Sequence, residues 1–485
     1  MDRIVIVGGG ISGLATAFRL RQAADAEGRA LQITILEAED QPGGKMRSDR
    51  EGGFVIERGP NGFLDSRLNA LGLMVDLGVE NLLMRADKNA AKRFVCRDGR
   101  LVPLPETPPA FLRSSLLSGA AKRRLMHEPW IPAGTAHDES IGDLAARRMG
   151  PEARDYLVDP MISGVYAGDP ARLSAAAALP RLVLMERKYG SWIRGAIALQ
   201  GGLPRLLGKI AGRVFGRGPG GGISAGPSGV LTSFKGGVTT LVQVLAERVG
   251  ASLRLGAPVT SIERVATGWL VGAGTGEGTH YYPADALVLA CPADVSSRLL
   301  QSAFPSLSGE LGAIPYASIT VVAVGFNKAD LPEGAVDGFG FLVPEVEHRP
   351  VLGVLWDSSI FPDRAPPGQV LLRAMVGGAR HPDLAVAADD VLVPMVLQQI
   401  AELMGIRATP TRVRVVRWAQ GIPQYNVGHL DRMARIDASL SRLPGLFLCH
   451  NSYRGISLDD CCREAQLAAD HVISHLGVMP CQGGA

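Results

Sequence analysis

The chain opens on a short apolar run, Ile4-Val5-Ile6-Val7, which predicts a strand covered on both faces. Gly8-Gly9-Gly10-Ile11-Ser12-Gly13 follows it, and residues 14–20 then carry helical periodicity. A second apolar run at 33–36 ends on Glu37, so residues 4–37 predict a complete βαβ unit. Residues from about 106 to 205 hold helical patterns, including 111–126 and 141–149, with few strand candidates. From Arg205 to Ser233 the chain turns loop-like around the glycines of 216–222. No Gly-Lys-Ser/Thr follows them, so they predict a flexible surface loop and not a phosphate loop. From Phe234 helix and strand patterns alternate again. Gly236-Gly237-Val238 leads into an amphipathic helix through Val249, and strands are predicted at 253–255, 259–262 and 286–290. Residues 315–380 are strand-rich, notably 319–324 and 370–375. A strand at 446–449 and a polar turn precede a final helix, whose Ala465, Ala468, Ala469, Val472, Ile473 and Leu476 recur at helical spacing. No internal repeat is present.

Composition narrows this picture. A chain of 485 residues carries a prior of about three domain-sized lobes. Its 60 glycines are roughly 12% of the chain, against about 7% on average, which implies many tight turns or close backbone approaches. Lys and Arg number 50 and Asp and Glu 47, and a balance of +3 argues against a nucleic-acid partner. No apolar stretch reaches the ~18 residues of a spanning helix, and the opening run is too short for a secretory signal. The expectation is a soluble, cytoplasmic chain, or one attached only at the cytoplasmic membrane surface. Six cysteines, Cys96, Cys291, Cys449, Cys461, Cys462 and Cys481, show no metal-ligand spacing and read as reduced thiols; no metal is expected.

The glycine triplet lies between a buried strand and a helix, with an acid after the next strand, and so reads as a dinucleotide site. Gly8 permits the tight turn, Gly10 admits a pyrophosphate and Gly13 lets helix and strand pack closely. The helix N-terminus offers unpaired N–H groups to phosphates. Glu37 suits a ribose diol and would repel a 2′-phosphate. Pro42-Gly43-Gly44-Lys45-Met46-Arg47 suits the other side of a pyrophosphate or the chain reaching from ribose to flavin, and residues 57–62 add another backbone surface. An extended FAD needs these extra patches; NAD does not. The C-terminal turn, Asn451 to Asp460, brings a glycine and two candidate N-caps before the last helix, whose start is placed to face the edge of a flavin where charge accumulates on reduction. This reading requires the two ends of the chain to meet.

Glycines 8, 10 and 13, Pro42-Gly43-Gly44 with Arg47, and Glu57-Arg58-Gly59-Pro60-Asn61 resemble the FAD-binding monoamine oxidase and phytoene desaturase superfamily. Residues 92–99, 164–169, 338–344, 421–425 and 451–455 bring the resemblance, over essentially the whole chain, to the oxygen-dependent protoporphyrinogen oxidase family. The resemblance implies an α/β fold: a glutathione-reductase-like FAD-binding Rossmann domain, a mixed or antiparallel-sheet substrate domain and an inserted helical domain. The FAD part would comprise 1–84, 228–295 and 440–485. The helical part would comprise 96–205 and the substrate part 85–95, 206–227 and 296–439. Carried over position by position, FAD contacts fall on Gly8, Gly10, Ile11, Ser12, Gly13, Glu37 and Ala38. Further contacts fall on Gly43, Gly44, Lys45, Arg47, Gly59, Pro60, Asn61, Val259, Trp418, Tyr453, Ile456, Ser457 and Leu458. Arg97 is expected to face a propionate, Gly164 to approach the macrocycle centre, and Leu342 and Phe361 to clamp its rings. Departures are Lys45 where the family has Arg, Ser457 where it has Gly, and the glycine loop at 216–222, which reads as an insertion.

The implied activity is oxidation of protoporphyrinogen IX to protoporphyrin IX by three hydride transfers to FAD, with molecular oxygen reduced to hydrogen peroxide. The alternative substrate is coproporphyrinogen III, with two more propionates. More remote alternatives are amine oxidation, carotenoid desaturation, or a non-catalytic fold relative such as a GDP-dissociation inhibitor. The hard chemistry belongs to cofactor and substrate. In keeping with that, no Ser/His/Asp constellation or general base is evident, and His450 reads as a satisfied histidine. The family also implies product hand-off to ferrochelatase and a helical part that meets the membrane. Arg113, Lys122, Arg123 and Arg124 read first as a solvated helix face and second as a surface resting on an anionic bilayer. Monomer and homodimer both stay open.

Overall fold

The computed structural model describes residues 1–199, 229–276 and 278–478. Cys481 and the expected loop at 216–222, with the rest of 206–227, lie outside the described residues. Five parallel strands form one sheet in the order Leu253–Arg254, Leu31–Leu36, Asp2–Val7, Ala286–Leu289, Leu446–Leu448. Asp2–Val7 shows why its sequence is apolar throughout. Ile4 and Ile6 enter one core, with the helices Ile11–Glu27, Thr239–Val249 and Leu458–Val478. Val5 and Val7 enter the opposite core, against the antiparallel sheet Val259–Val265, Gly268–Thr275, Gly278–Ala284 and the helices Ala293–Leu300 and Pro305–Gly312. Both faces of the period-two pattern are buried.

The register aligns strand ends. Val7 sits beside Leu36 on one side and Leu289 on the other, and Leu289 sits beside Leu448. The loops starting at Gly8, Glu37, Ala290 and Cys449 therefore leave the sheet at one edge, where ligands of open parallel sheets bind.

A second, seven-stranded mixed sheet runs Arg412–Pro423, Tyr316–Asn327, Gln369–Gly377, Val351–Leu355, Gly340–Leu342, Arg93–Arg97, Arg100–Pro103. Only the pairing of Gly340–Leu342 with Arg93–Arg97 is parallel. Helix Asp389–Met404 covers one face through Leu392, Val396 and Ile400. Residues 96–103 thus continue this sheet as strands, past the boundary at 95 that the sequence suggests.

The remaining helices form a third layer. Ile141–Met149 has the expected bounds, and Ser140 accepts from Asp143 N at 3.0 Å as its cap. The helix expected over 111–126 is instead two, Pro108–Arg113 and Gly119–Met126. Serines break it: Ser114 Oγ accepts from Leu116 N and Ser118 Oγ from Ala121 N, offering the backbone partners outside a helix. Leu116 and Leu117 turn inward at the break and are buried. Lys122 donates to the Leu112 and Ser114 carbonyls and Arg124 to those of Arg147 and Arg148, so two of the four basic side chains are spent within the layer. Among the described residues no helix is long and apolar enough to cross a membrane.

Inside this layer Glu128 and Arg148 form a buried ion pair. Glu128 also accepts from Trp192 N at 2.9 Å, Ile193 N at 3.2 Å and Ser191 Oγ at 2.5 Å. It is a remote cap for helix Trp192–Leu199. Glu128→Ala would remove the nearer of two carboxylates beside buried Arg148, leaving Glu186 at 3.4 Å, at a cost of about 3 kcal/mol. A clearly lowered melting temperature in scanning calorimetry is expected, and an unchanged one would show the pair to be dispensable.

Candidate functional site

The glycine loop after the first strand is sterically closed to side chains. Gly8 adopts φ +110°, and a β-carbon at Gly13 would stand 2.0 Å from Gly8 O. At Gly10, by contrast, an added β-carbon would meet nothing within 4 Å. Gly10 is the N-cap of helix Ile11–Glu27, with no side-chain cap and no acid in the first turn, so the first N–H groups face outward toward any bound anion. Glu37 is held at the rim: its Oε2 accepts from Gly9 N at 2.6 Å and its Oε1 from Glu39 N at 2.9 Å. Ala38, next to it, is exposed.

The second glycine patch stacks on the first. Gly43 N donates to Gly9 O at 2.9 Å, and a β-carbon at Gly44 would lie 3.6 Å from Gly10 Cα. The third packs on the second, since a β-carbon at Gly59 would come within 2.6 Å of Lys45 O. Pro60 next to it is exposed, and Trp418 Nε1 donates to Arg58 O at 2.7 Å. Val259 stands half-buried at the start of its strand.

The end of the chain joins the same place. Ser12 hydrogen-bonds the Cys461 thiol, and Thr16 Oγ1 lies 3.4 Å from Cys449 Sγ, so the first and last helices start side by side. Ser457 and Asp460 form a reciprocal cap: Ser457 Oγ accepts from Asp460 N at 3.1 Å, and Asp460 Oδ2 accepts from Ser457 N at 3.2 Å. Ile456 packs against the helical layer, Leu458 is buried, and Ile11 packs beside the first core. Tyr453 is buried too, its hydroxyl donating to Ser296 Oγ at 3.2 Å and its carbonyl lying 2.9 Å from His429 Nε2. The five described cysteines are free and buried.

Two buried polar atoms in this cradle have no protein partner: Arg47 Nε and Asn61 Oδ1. With the uncapped helix and the open face at Gly10, they fit a ligand carrying phosphates and a heterocycle. Lys45 Nζ donates to Gly421 O at 2.7 Å and sits 5.3 Å from the Tyr316 ring, and burial pulls its pKa down to about 8. His450 is neutral: burial and the neighbouring Lys45 push it down to about 3, while its Nδ1 accepts from Ser452 N at 3.1 Å.

Of the residues expected to meet substrate, Gly164 and Leu342 meet each other, since a β-carbon at Gly164 would lie 2.8 Å from Leu342 Cδ2. Arg97 is more committed than its sequence suggests. Nη1 donates to Glu152 Oε1 at 2.8 Å and to Leu116 O, and the guanidinium covers the Tyr156 ring at 4.5 Å. Its Nη2 has no partner among the described residues. Phe361 is fully buried with Ala90 and Ile360, its ring 5.0 Å from the Arg364 guanidinium, and presents no surface to a bound ring.

Sequence reasoning misses one feature entirely. Glu57, Asp357, Arg364 and Arg373 form a buried charge quartet beneath residues 57–61. Glu57 Oε1 lies 3.1 Å from Arg364 Nη2, and its carboxylate also accepts from Ser48 Oγ at 2.6 Å and Val238 N at 3.1 Å. Burial outweighs these and pushes Glu57 up to about 7. The partners are some 300 residues apart, and no local pattern announces them.

The family model of flavin containing amine oxidoreductases matches residues 11–473. A coproporphyrinogen III oxidase of Bacillus subtilis (strain 168) is 29% identical, over 98% of each chain. The chloroplastic protoporphyrinogen oxidase of Oryza sativa subsp. japonica is 32% identical, over 97% of this chain and 88% of its own. A provisionally named protoporphyrinogen oxidase from Exiguobacterium sp. 255-15 matches in structure with a TM-score of 0.80 at 28% identity, over 98% of this chain and 99% of its own. The chain belongs to the flavin-containing amine oxidoreductase family. It is an FAD-dependent oxidoreductase of the expected α/β class.

Gly13→Ala is expected to abolish folding or lower the melting temperature sharply. Gly10→Ala should fold normally and bind FAD at least tenfold more weakly, read by flavin absorbance on reconstitution. Full flavin retention in Gly10→Ala would remove the cradle from cofactor binding. Because Glu57 keeps its proton to about pH 7 when folded but only to about 4.5 in an ordinary carboxyl, its stabilising contribution is full below pH 4.5 and lost as pH rises through 7. Glu57→Gln should flatten that part of the apoprotein's melting temperature against pH; an unaltered slope would refute the assignment.

Proposed function

We propose that the chain oxidises protoporphyrinogen IX to protoporphyrin IX, with molecular oxygen as acceptor. The observation that supports this best is end-to-end similarity to protoporphyrinogen oxidases at 30–32% identity over at least 96% of the chain. Bound FAD supplies a hydride acceptor for the substrate's methylene bridges, with the electrons passing to oxygen as peroxide. Every other part falls to the chain. The glycine loops and the uncapped helix bind the pyrophosphate, Glu37 the ribose, and Arg47, whose Nη2 is held by Glu39, offers its unpartnered Nε to a phosphate. Gly164, lacking a side chain, lets the macrocycle approach the backbone, and Leu342 packs against a ring. Arg97 offers its free Nη2 to a propionate, a charge-assisted bond of about 1.5–3 kcal/mol. No side chain needs to act as a strong base, since loss of hydride leaves a cation whose pyrrole N–H is itself acidic.

A second reading, oxidation of coproporphyrinogen III, is favoured by the Bacillus subtilis relative, which is matched over 98% of its length. Against it stands the commitment of Arg97, whose Nη1 is engaged by Glu152 and Leu116 and whose Nε lies 3.6 Å from Asp98, where two further carboxylates need further cations. Initial rates on the two anaerobically prepared porphyrinogens decide between them, and a clear preference for coproporphyrinogen would overturn our choice. Arg97→Ala is expected to raise KM for the porphyrinogen about tenfold or more while the FAD-to-protein ratio stays unchanged. Loss of FAD instead would show that Arg97 serves the fold.

A further inference from the structure

The buried quartet beneath residues 57–61 is costly. Each charge removed from water carries a penalty of several kcal/mol, and apolar side chains of similar volume are often at least as stable. Its geometry converges on one carboxamide. Arg373 Nη1 donates to Gly59 O at 2.8 Å and to Glu57 O at 3.1 Å, and its Nε lies 2.8 Å from Asp357 Oδ2. Asp357 is fully buried, and its other oxygen, Oδ1, accepts from Asn61 Nδ2 at 3.4 Å.

This contact fixes which way the amide points. Asp357 Oδ1 also accepts from Arg373 Nη2 at 3.5 Å, so as the acceptor of both donors it faces the NH2 of Asn61 and not the oxygen. The oxygen is thereby turned the other way, where it is buried and has no protein partner. It belongs to the segment that stacks, through Gly59 and Lys45, on the two glycine loops. A buried acceptor left open costs about 1–3 kcal/mol unless a donor arrives.

We propose that Asp357 and Arg373 are positioning residues that hold the Asn61 carboxamide so that its Oδ1 accepts a hydrogen bond from a ring N–H of the bound heterocycle. Two such donors are at hand on the reading above: the imide N–H of the flavin and the pyrrole N–H of a porphyrinogen. Both are neutral donors that a fixed amide oxygen recognises, and both would be misread if the amide could rotate. The inference rests on that reading only for the second donor.

The test separates them. Asn61→Ala removes the acceptor, and Asp357→Asn keeps the shape while allowing either amide orientation. In one arm, apoprotein is titrated with FAD and the flavin spectrum and dissociation constant are recorded. In the other, KM and kcat are measured for the porphyrinogen, together with binding of the porphyrin product by its fluorescence. Asn61→Ala is expected to weaken binding about tenfold in one arm only, which names the donor. Asp357→Asn should reproduce the loss in the same arm, and the double variant should be no worse than Asn61→Ala alone. Wild-type constants for Asn61→Ala in both arms would overturn the proposal. So would an Asp357→Asn protein with a lowered melting temperature but unchanged binding; should Asp357→Asn not fold, the Asn61→Ala arms still decide. A wild-type protein that oxidises no porphyrinogen, yet loses FAD affinity in Asn61→Ala, would refute the proposed function and leave this inference standing.

Discussion

Between Gly8 and Gly13 the first strand's turn and the first helix approach so closely that a β-carbon would lie 2.0 Å from a carbonyl oxygen. Everything at the site follows from that approach. It brings the helix start to the carboxyl edge of the sheet with its N–H groups unspent, and leaves room at Gly10 for a ligand where Gly8 and Gly13 leave none. The second and third glycine segments then close against the first, backbone to backbone. The last strand ends on the same edge, two positions from the first, which lets the final helix begin beside Ser12.

Electrostatics complete what packing starts. The cradle gathers the outward N–H groups of the first helix, buried Lys45, Arg47 ion-paired with Glu39, and the carboxylates of Glu37 and of the Asp460 cap. His450 stays uncharged within it, since its own cation would be buried beside that of Lys45. Charges around Arg97, Gly164 and Leu342 are paired: Arg97 with Glu152, and Arg380 with Asp159 and Glu345.

Much of this was legible one segment at a time. Asp2–Val7 is apolar because both its faces are covered, and Ile141–Met149 carries its own serine cap. Where legibility failed, a competing local interaction or a distant partner was the cause. The helix expected over 111–126 is broken by serines that bond the backbone, a contest periodicity does not register. Strand Arg412–Pro423 alternates arginines with aliphatics at a sheet edge, and its arginines pair with acids as remote as Asp49. Phe361 is expected to clamp a ring only through the family resemblance, and its neighbours enclose it completely.

The sequence alone determined the parts whose physics is local: glycines where the backbone needs positive φ or close approach, apolar runs where both faces are buried, an acid one strand later. These depend on a residue and its near neighbours along the chain, so spacing reveals them. Only the tertiary structure decided that Glu57, Asp357, Arg364 and Arg373 lie buried together, that Glu152 occupies Arg97, and that the oxygen of Asn61 has no protein partner. A charge's state and a donor's availability depend on what lies within a few ångströms in space. For these residues that neighbour comes from tens to hundreds of positions away.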